Sequence, residues 1–427
     1  MNLTKEQTDI LNGKQGEVMA KVMETCVRYG ELFGAEKMVP ITSKYNHLVT
    51  SFGMKVMKPV YDLLGKILDS GEISKQKFSV DPRPYDSKVP ANLLQKLIFK
   101  KFMYNLQDEY EDTLNRFGLK NKDAFTCTCY LSEVGNTPKY GDILSWAESS
   151  AVVYANSVLG ARCNRNSGII DLMGSILGYV PYFGLLKDEG RRATWHVEIK
   201  TTKKPEAQLL GSAIGMAVTD EVPYITGLNK WIGDELNDET CTYLKDFGAA
   251  CASNGAVGLY HIDNLTPEAK KLGRDLIKDE HKTLIVDDEL LEYTYKNYPV
   301  IWKKKNAKPK LCFLGCPHMS LNQLQEWTEK ITEGLKKSNK KKVLIKTVFT
   351  ASPNVINEFK KSSDYYEKLK NAGVILSYIC PLMYMNNPLC KSMPVITSSN
   401  KLRTYTTARY YTDEEILNIL VGGTNGK

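Results

Sequence analysis

The residues of this sequence best able to do chemistry are cysteines. There are ten, and the N-terminal stretch MNLTKEQTDILNG carries no apolar leader, so they read as reduced thiols of a cytoplasmic protein, mostly small buried hydrophobes. Three are singled out by position. Cys316-Pro317 follows the strand-like run LCFLG (311–315), Cys380-Pro381 closes VILSYIC (374–380), and Cys127 lies in the β-rich segment FTCTCYL (125–131). A thiolate can hold iron or zinc, and a loop directly after a strand lets a ligand point into a crevice while its backbone stays anchored. Three protein ligands leave a metal an open position for Lewis-acid chemistry on a substrate oxygen. By spacing alone, a metal centre and inert buried thiols both stay open. A second stretch, WAESSAVVYANSVLGAR (146–162), reads as a tightly packed helix on which Ser149, Asn156 and Cys163 share a stripe beside Glu148 and Arg162. Polar groups on so apolar a helix must find partners, in one another or in a ligand.

The elements that would position these groups follow from periodicity. From about residue 308 the chain alternates strand LCFLG, a helix opened by the capping box Ser320–Gln323, strand VLIKTVFTA (343–351), helix 354–371, strand VILSYIC and strand VITSS (395–399). Such alternation predicts parallel pairing, with the ligand crevice outside the carboxyl ends of the strands, where Cys316, Cys380 and Ser399 all fall. At the other end, a Thr4–Gln7 capping box and apolar positions from Ile10 to Met23 predict one long amphipathic helix reaching Gly30, and residues 54–68 and 92–115 are again helical in period. The apolar stretch 169–186 contains Asp171, Pro181 and three glycines, which argues for core packing rather than a membrane span. The final VGGTNGK reads as a frayed tail.

A length of 427 residues implies two or three lobes, divided here as 1–300 and 301–427. With 42% apolar and 25% charged residues the chain is neither disordered nor fibrous, and a net charge of +8 on a surface this large demands no nucleic acid. The lysine runs 302–310 and 336–342 lack interleaved stacking aromatics and read as solvated faces. There is no Walker A sequence, no HExxH and no paired CxxC. Neither a nucleic-acid nor a membrane partner is expected.

Longer segments carry a more specific signal. GNTPKYGDILSWAESSAVVYANSVLGARCNRNSG (135–168), GAEKMVPITS (34–43), GAACASNGAVGLYHIDNLTPEA (248–269), FLGCPHMSL (313–321) and AGVILSYIC (372–380) closely resemble the large subunit or catalytic region of the aconitase X family, across nearly the whole chain. The resemblance implies an α/β, aconitase-like fold of several lobes around a metal-cluster crevice. It also implies a hydro-lyase that dehydrates a small hydroxy carboxylic acid with an iron–sulfur cluster of unspecified nuclearity. A mononuclear iron centre on the same cysteines is the alternative. The family pattern TCTPY falls on Thr126–Tyr130 and GCPH on Gly315–His318, so the implied metal ligands are Cys127, Cys316 and Cys380. Glu148, Ser149 and Ser399 are carried over as catalytic, and Ser43, Ser150, Asn156, Asn164, Arg165 and Lys401 as substrate-binding, with Arg165 and Lys401 as carboxylate holders.

The departures bear on the substrate. Cys129 occupies the proline position of TCTPY, and several family histidines are absent: Ser43-Lys44-Tyr45 replaces SAH, with His47 as a near neighbour that could stand in. The family's swivelling domain, which supplies a serine base, has no counterpart in these residues, so a separate small subunit is the expected partner. Of the two acids that the resemblance implies as substrates, cis-3-hydroxy-L-proline is ranked ahead of 5-phosphomevalonate, since no phosphate-cradling glycine-rich loop is evident. A catalytically silent relative acting as an assembly or binding protein is the reading from outside enzymology.

Overall fold

The computed structural model describes residues 1–50 and 57–422. Four short strands open the chain: β1 (Met38–Pro40), β2 (Tyr45–Leu48), β3 (Lys77–Val80) and β4 (Tyr179–Pro181), with β2 parallel to β3 and β1 antiparallel to β4. They lie on a helical core in which Met23, Leu64, Phe78, Leu114, Phe117 and Ile176 are buried together. Next come β5 (Ala193–Ile199), β6 (Pro223–Thr226), β7 (His261–Ile262) and β8 (Ile277–Val286), a parallel sheet in the order β7-β6-β5-β8. The C-terminal sheet contains β9 (Leu311–Met319), β10 (Lys346–Ala351), β11 (Val374–Ser377), β12 (Val395–Thr397) and β13 (Arg409–Tyr410), all parallel and ordered β11-β10-β9-β12-β13. The expected alternation is therefore present, and β13 is an added edge strand too short to show a period. In the described residues no helix is long and apolar enough to cross a membrane, and 169–186 divides between the helix Gly168–Leu177 and β4.

Several boundaries differ from expectation for identifiable reasons. The N-terminal helix is two, Lys5–Leu11 and Glu17–Leu32, because Gly13 and Gly16 take φ of 83° and 92° between them. The capping boxes at Thr4 and Ser320 are both formed. The helix expected over 354–371 is interrupted at Ser362, giving Pro353–Lys361 and Ser363–Asn371. FTCTCYL is not a strand. Only Phe125 bridges β3, at Val80, and the Thr126 hydroxyl then accepts from the Thr128 amide at 3.1 Å, replacing a ladder bond and turning the chain. The helix expected over 146–162 spans only Ser149–Ser157. The first residues of the helix expected from Met54 and the last five of the tail lie outside the described residues.

Candidate active site

Glu148 is the centre of the arrangement. It caps the helix Ser149–Ser157, its Oε2 accepting from the Ala151 amide at 2.8 Å and from the Ser150 hydroxyl at 2.6 Å. Its other oxygen accepts from the Lys401 ammonium, which also donates to Ser150 Oγ at 3.1 Å. Both charges are buried. Burial alone would push the Glu148 carboxyl up and the Lys401 ammonium down. Their mutual attraction outweighs it, leaving Glu148 below the usual carboxylate range and Lys401 above the usual ammonium range. Lys401 is placed by the helix Asn400–Tyr405, whose N-cap is Ser399. That hydroxyl accepts from the Leu402 amide at 3.1 Å and donates to the Cys316 carbonyl.

Cys127, Cys316 and Cys380 lie beside this pair. Burial raises all three thiols, that of Cys380 to about 12; Glu148 adds to the rise at Cys127 and Cys316, and Lys401 opposes it at every one. Cys127 and Cys380 each also feel the charge of Cys316. Thiols raised in this way take up a metal group only by losing their protons. Their segments are joined by one imidazole. The His318 amide donates to Cys127 Sγ at 3.3 Å, its Nδ1 meets Thr126 Oγ1 at 3.1 Å, and its Nε2 meets the carbonyl of Ile379, the neighbour of Cys380, at 3.2 Å. A carbonyl only accepts, so Nε2 carries the proton and Nδ1 accepts from the threonine. Burial pushes this ring down to about 4, which keeps it neutral. Sequence reasoning gave His318 no role, although its place two residues after Cys316 in GCPH was a signal.

Around this centre two buried nitrogens lack partners. Arg165, in electrostatic reach of Glu148, has no acceptor for Nη1, and burial lowers its affinity for its proton. His47 is completely buried, with Nδ1 2.9 Å from Ser79 Oγ, Nε2 free, and both Glu148 and Lys401 in reach of its charge. Cys129 lies fully buried beside Ser79. Other residues singled out by sequence turn out to be committed to the framework. Asn156 Nδ2 donates to the carbonyls of Cys163 and Gly258, both at 2.8 Å, while its Oδ1 accepts from the Cys163 amide, so the polar stripe satisfies itself. Arg162 donates to the Leu186 carbonyl at 2.8 Å and pairs with Asp188. Asn164 clasps the Phe183 carbonyl at 3.0 Å and the Leu185 amide at 2.7 Å. Arg191, unnoticed in the sequence, forms a buried pair with Glu268 at 2.7 Å and donates to the Asn156 carbonyl. Ser149 is half-buried in the first helical turn, and Ser43 lines a separate cavity with Lys44, Asn136 and Lys139.

A cavity of about 590 Å³ runs along Cys316, Pro317, Ser398 and Ser399 and faces Glu206–Gln208 of the middle sheet's first helix. The carboxyl ends of β9 and β12 thus open on a crevice, as topology predicted for Cys316 and Ser399; Cys380, expected there too, is not among its lining residues. Gln208 spans the two sheets, its Oε1 accepting from the Asn400 amide at 2.9 Å and its Nε2 reaching the Cys316 carbonyl at 3.5 Å.

Comparison with known proteins agrees with this geometry. Family models for the aconitase X first, second and third domains match residues 1–189, 192–296 and 309–417. The phosphomevalonate dehydratase large subunit of Methanocaldococcus jannaschii is 32% identical over 337 residues, 77% of this chain and 78% of the relative. That of Thermococcus kodakarensis is 33% identical over 77% of each chain. The cis-3-hydroxy-L-proline dehydratase of Hypocrea jecorina is 26% identical over 81% of this chain but only 55% of its own. A crystal structure of Thermococcus kodakaraensis aconitase X in its holo-form superposes with a TM-score of 0.78 at 28% identity, covering 98% of this chain and 100% of that one. With three family domains matched in order along its length, the chain belongs to the aconitase X family.

Proposed function

We propose that the chain is the large subunit of an iron–sulfur phosphomevalonate dehydratase, and that it eliminates water from a phosphorylated hydroxy acid. The observation carrying a dehydratase reading is the buried Glu148–Lys401 pair set among three cysteines, with Nη1 of Arg165 unpartnered beside it. The relatives named for phosphomevalonate are 29–33% identical with 75–87% of their own length matched, whereas those named for cis-3-hydroxy-L-proline are 26% identical with only 52–55% of theirs matched. This favours the reverse of the order drawn from sequence alone.

Among the described residues, no three His, Cys, Asp or Glu side chains group tightly enough to share one metal ion. An iron–sulfur cluster is held by cysteine thiolates, and three buried thiols within electrostatic reach of one ammonium are donors of that type. Cys127, Cys316 and Cys380 would hold it, and when bound it supplies Lewis-acid polarisation of the leaving hydroxyl. The chain's own groups do the rest. Lys401 offsets the negative charge of the thiolates, Glu148 fixes Lys401, and Arg165 offers its unpaired N–H to the substrate carboxylate. A small subunit would bring the base that removes the proton from the adjacent carbon.

The test is anaerobic co-purification with the small subunit, iron and sulfide assay, and turnover of 5-phosphomevalonate and cis-3-hydroxy-L-proline. The expected result is bound iron and sulfide with phosphomevalonate turned over. Cys127→Ser, Cys316→Ser and Cys380→Ser should each lose the iron, and Cys241→Ser, half-buried elsewhere, should keep it. Iron retained in all three variants removes the ligand assignment, and turnover of neither acid supports the silent relative.

A further inference from the structure

Among the described residues two lysines are buried, Lys401 and Lys245, and the second has no part in the arrangement around Glu148. Lys245 lies in the helix Asp238–Asn254, between β6 and β7, with its side chain 1% exposed. Among the described residues its one acceptor is Asp246 Oδ1 at 2.6 Å, so two of its three N–H donors are unspent. Asp246 is itself divided, because its Oδ2 accepts from Gln323 Nε2 at 2.7 Å. A buried ammonium held by one shared carboxylate is a costly arrangement unless a further negative charge faces it.

Its contacts place that ammonium beside the cysteine segments. Gln323 forms the capping box with Ser320, which stands four residues past Cys316, and the Ser320 hydroxyl is 3.3 Å from that of Thr242, one turn before Lys245. The two members of the pair face different hollows. Asp246 lines the 590 Å³ crevice together with Cys316, whereas Lys245 lines a cavity of about 290 Å³ with Ser320 and with Tyr130, three residues past Cys127. Both Cys316 and His318 are within electrostatic reach of Lys245. We propose that Lys245 is a positioning residue of the metal centre, its ammonium offsetting thiolate charge at Cys316 from the helix between β6 and β7 as Lys401 does from the helix after β12. This rests on the metal-centre reading and deepens it. Positive charge beside an iron centre favours its reduced form, and Asp246 opposes that effect, so the pair sets the electron affinity of the iron without touching it.

The experiment poises the holoenzyme at a series of potentials under argon, as wild type, Lys245→Met, Lys245→Arg and Asp246→Asn, and reads the reduced fraction of the iron by electron paramagnetic resonance. Iron content and thermal midpoint show that each variant is loaded and folded. At a fixed potential the ratio of reduced to oxidised centre should fall about 10-fold in Lys245→Met, which is about 59 mV for one electron. It should return close to wild type in Lys245→Arg and rise in Asp246→Asn. A pair that only holds its helix against β9 would lower the thermal midpoint in both variants without moving the ratio in opposite directions. An unchanged ratio in iron-loaded Lys245→Met overturns the role of Lys245 and leaves the metal centre standing, whereas a wild type that binds no iron removes the centre and the proposal together. Should Lys245→Met not fold, Asp246→Asn decides: a raised ratio supports the counter-charge, and one unchanged or lowered overturns it.

Discussion

At the scale of single residues, two buried carboxyls in this molecule behave oppositely because their partners differ. Glu148 has an ammonium against it and stays ionised, while Asp171, just as buried, has only neutral donors: Ser145 at 3.2 Å and Asn166 at 3.2 Å. Burial pushes Asp171 up to about 8. In the unfolded chain an aspartate ionises near pH 4, so between about pH 4 and about pH 8 the native state binds the extra proton. Its contribution is therefore complete below about pH 4 and declines as pH rises toward 8, at up to about 1.4 kcal/mol per pH unit. Asp171→Asn keeps an oxygen for Ser145 and cannot titrate. Urea unfolding measured from pH 5 to 8 should show a flatter stability profile for the variant than for the wild type. Parallel profiles would mean that Asp171 ionises normally.

At the scale of elements, the site depends on how β9 ends. Gly315 takes φ of 104°, and a Cβ there would stand 2.3 Å from the Thr350 carbonyl oxygen of β10, where the register between the two strands also shifts. Gly315→Ala should therefore cost more than about 1 kcal/mol and displace the adjacent Cys316. The readouts are a lower thermal midpoint and reduced iron per chain, and wild-type values of both would show that β9 tolerates the change. The same strand illustrates what could be read from sequence. The alternation of β9 to β12 with capped helices was legible because periodicity and capping boxes are local, and it placed Cys316 and Ser399 on one crevice before any coordinates. Lost instead were features fixed by distant contacts. The turn at Cys127–Tyr130 is set by the Thr126 hydroxyl and His318, and the split of the first helix by two glycines of positive φ, Gly13 and Gly16. Asn156 looked like a ligand because its partners, Gly258 and Arg191, are far away in sequence.

At the scale of the whole molecule, the sheets are drawn together on the cysteine segments by contacts between lobes, Gln208 with Asn400 and Cys316 among them, and Arg83 through its carbonyl to the Cys380 amide at 2.7 Å. This closure leaves few groups free to move a proton. Glu148 is saturated by Lys401, Ser150 and the Ala151 amide, both ring nitrogens of His318 are engaged, and the Ser399 hydroxyl caps a helix while holding the Cys316 carbonyl. Of the two unpartnered nitrogens described at the site, Arg165 Nη1 and His47 Nε2, only the imidazole can accept a proton, and burial pushes that ring down to about 4, making it a weak base. The relatives of highest identity named above are large subunits, which agrees with a base arriving on another chain. The isolated chain, loaded with iron, should therefore show negligible dehydration of phosphomevalonate and gain it on titration with the small subunit, saturating at a fixed stoichiometry. Robust turnover by the isolated chain would place the base within these residues, and loss of that turnover in His47→Phe, with iron content retained, would identify it.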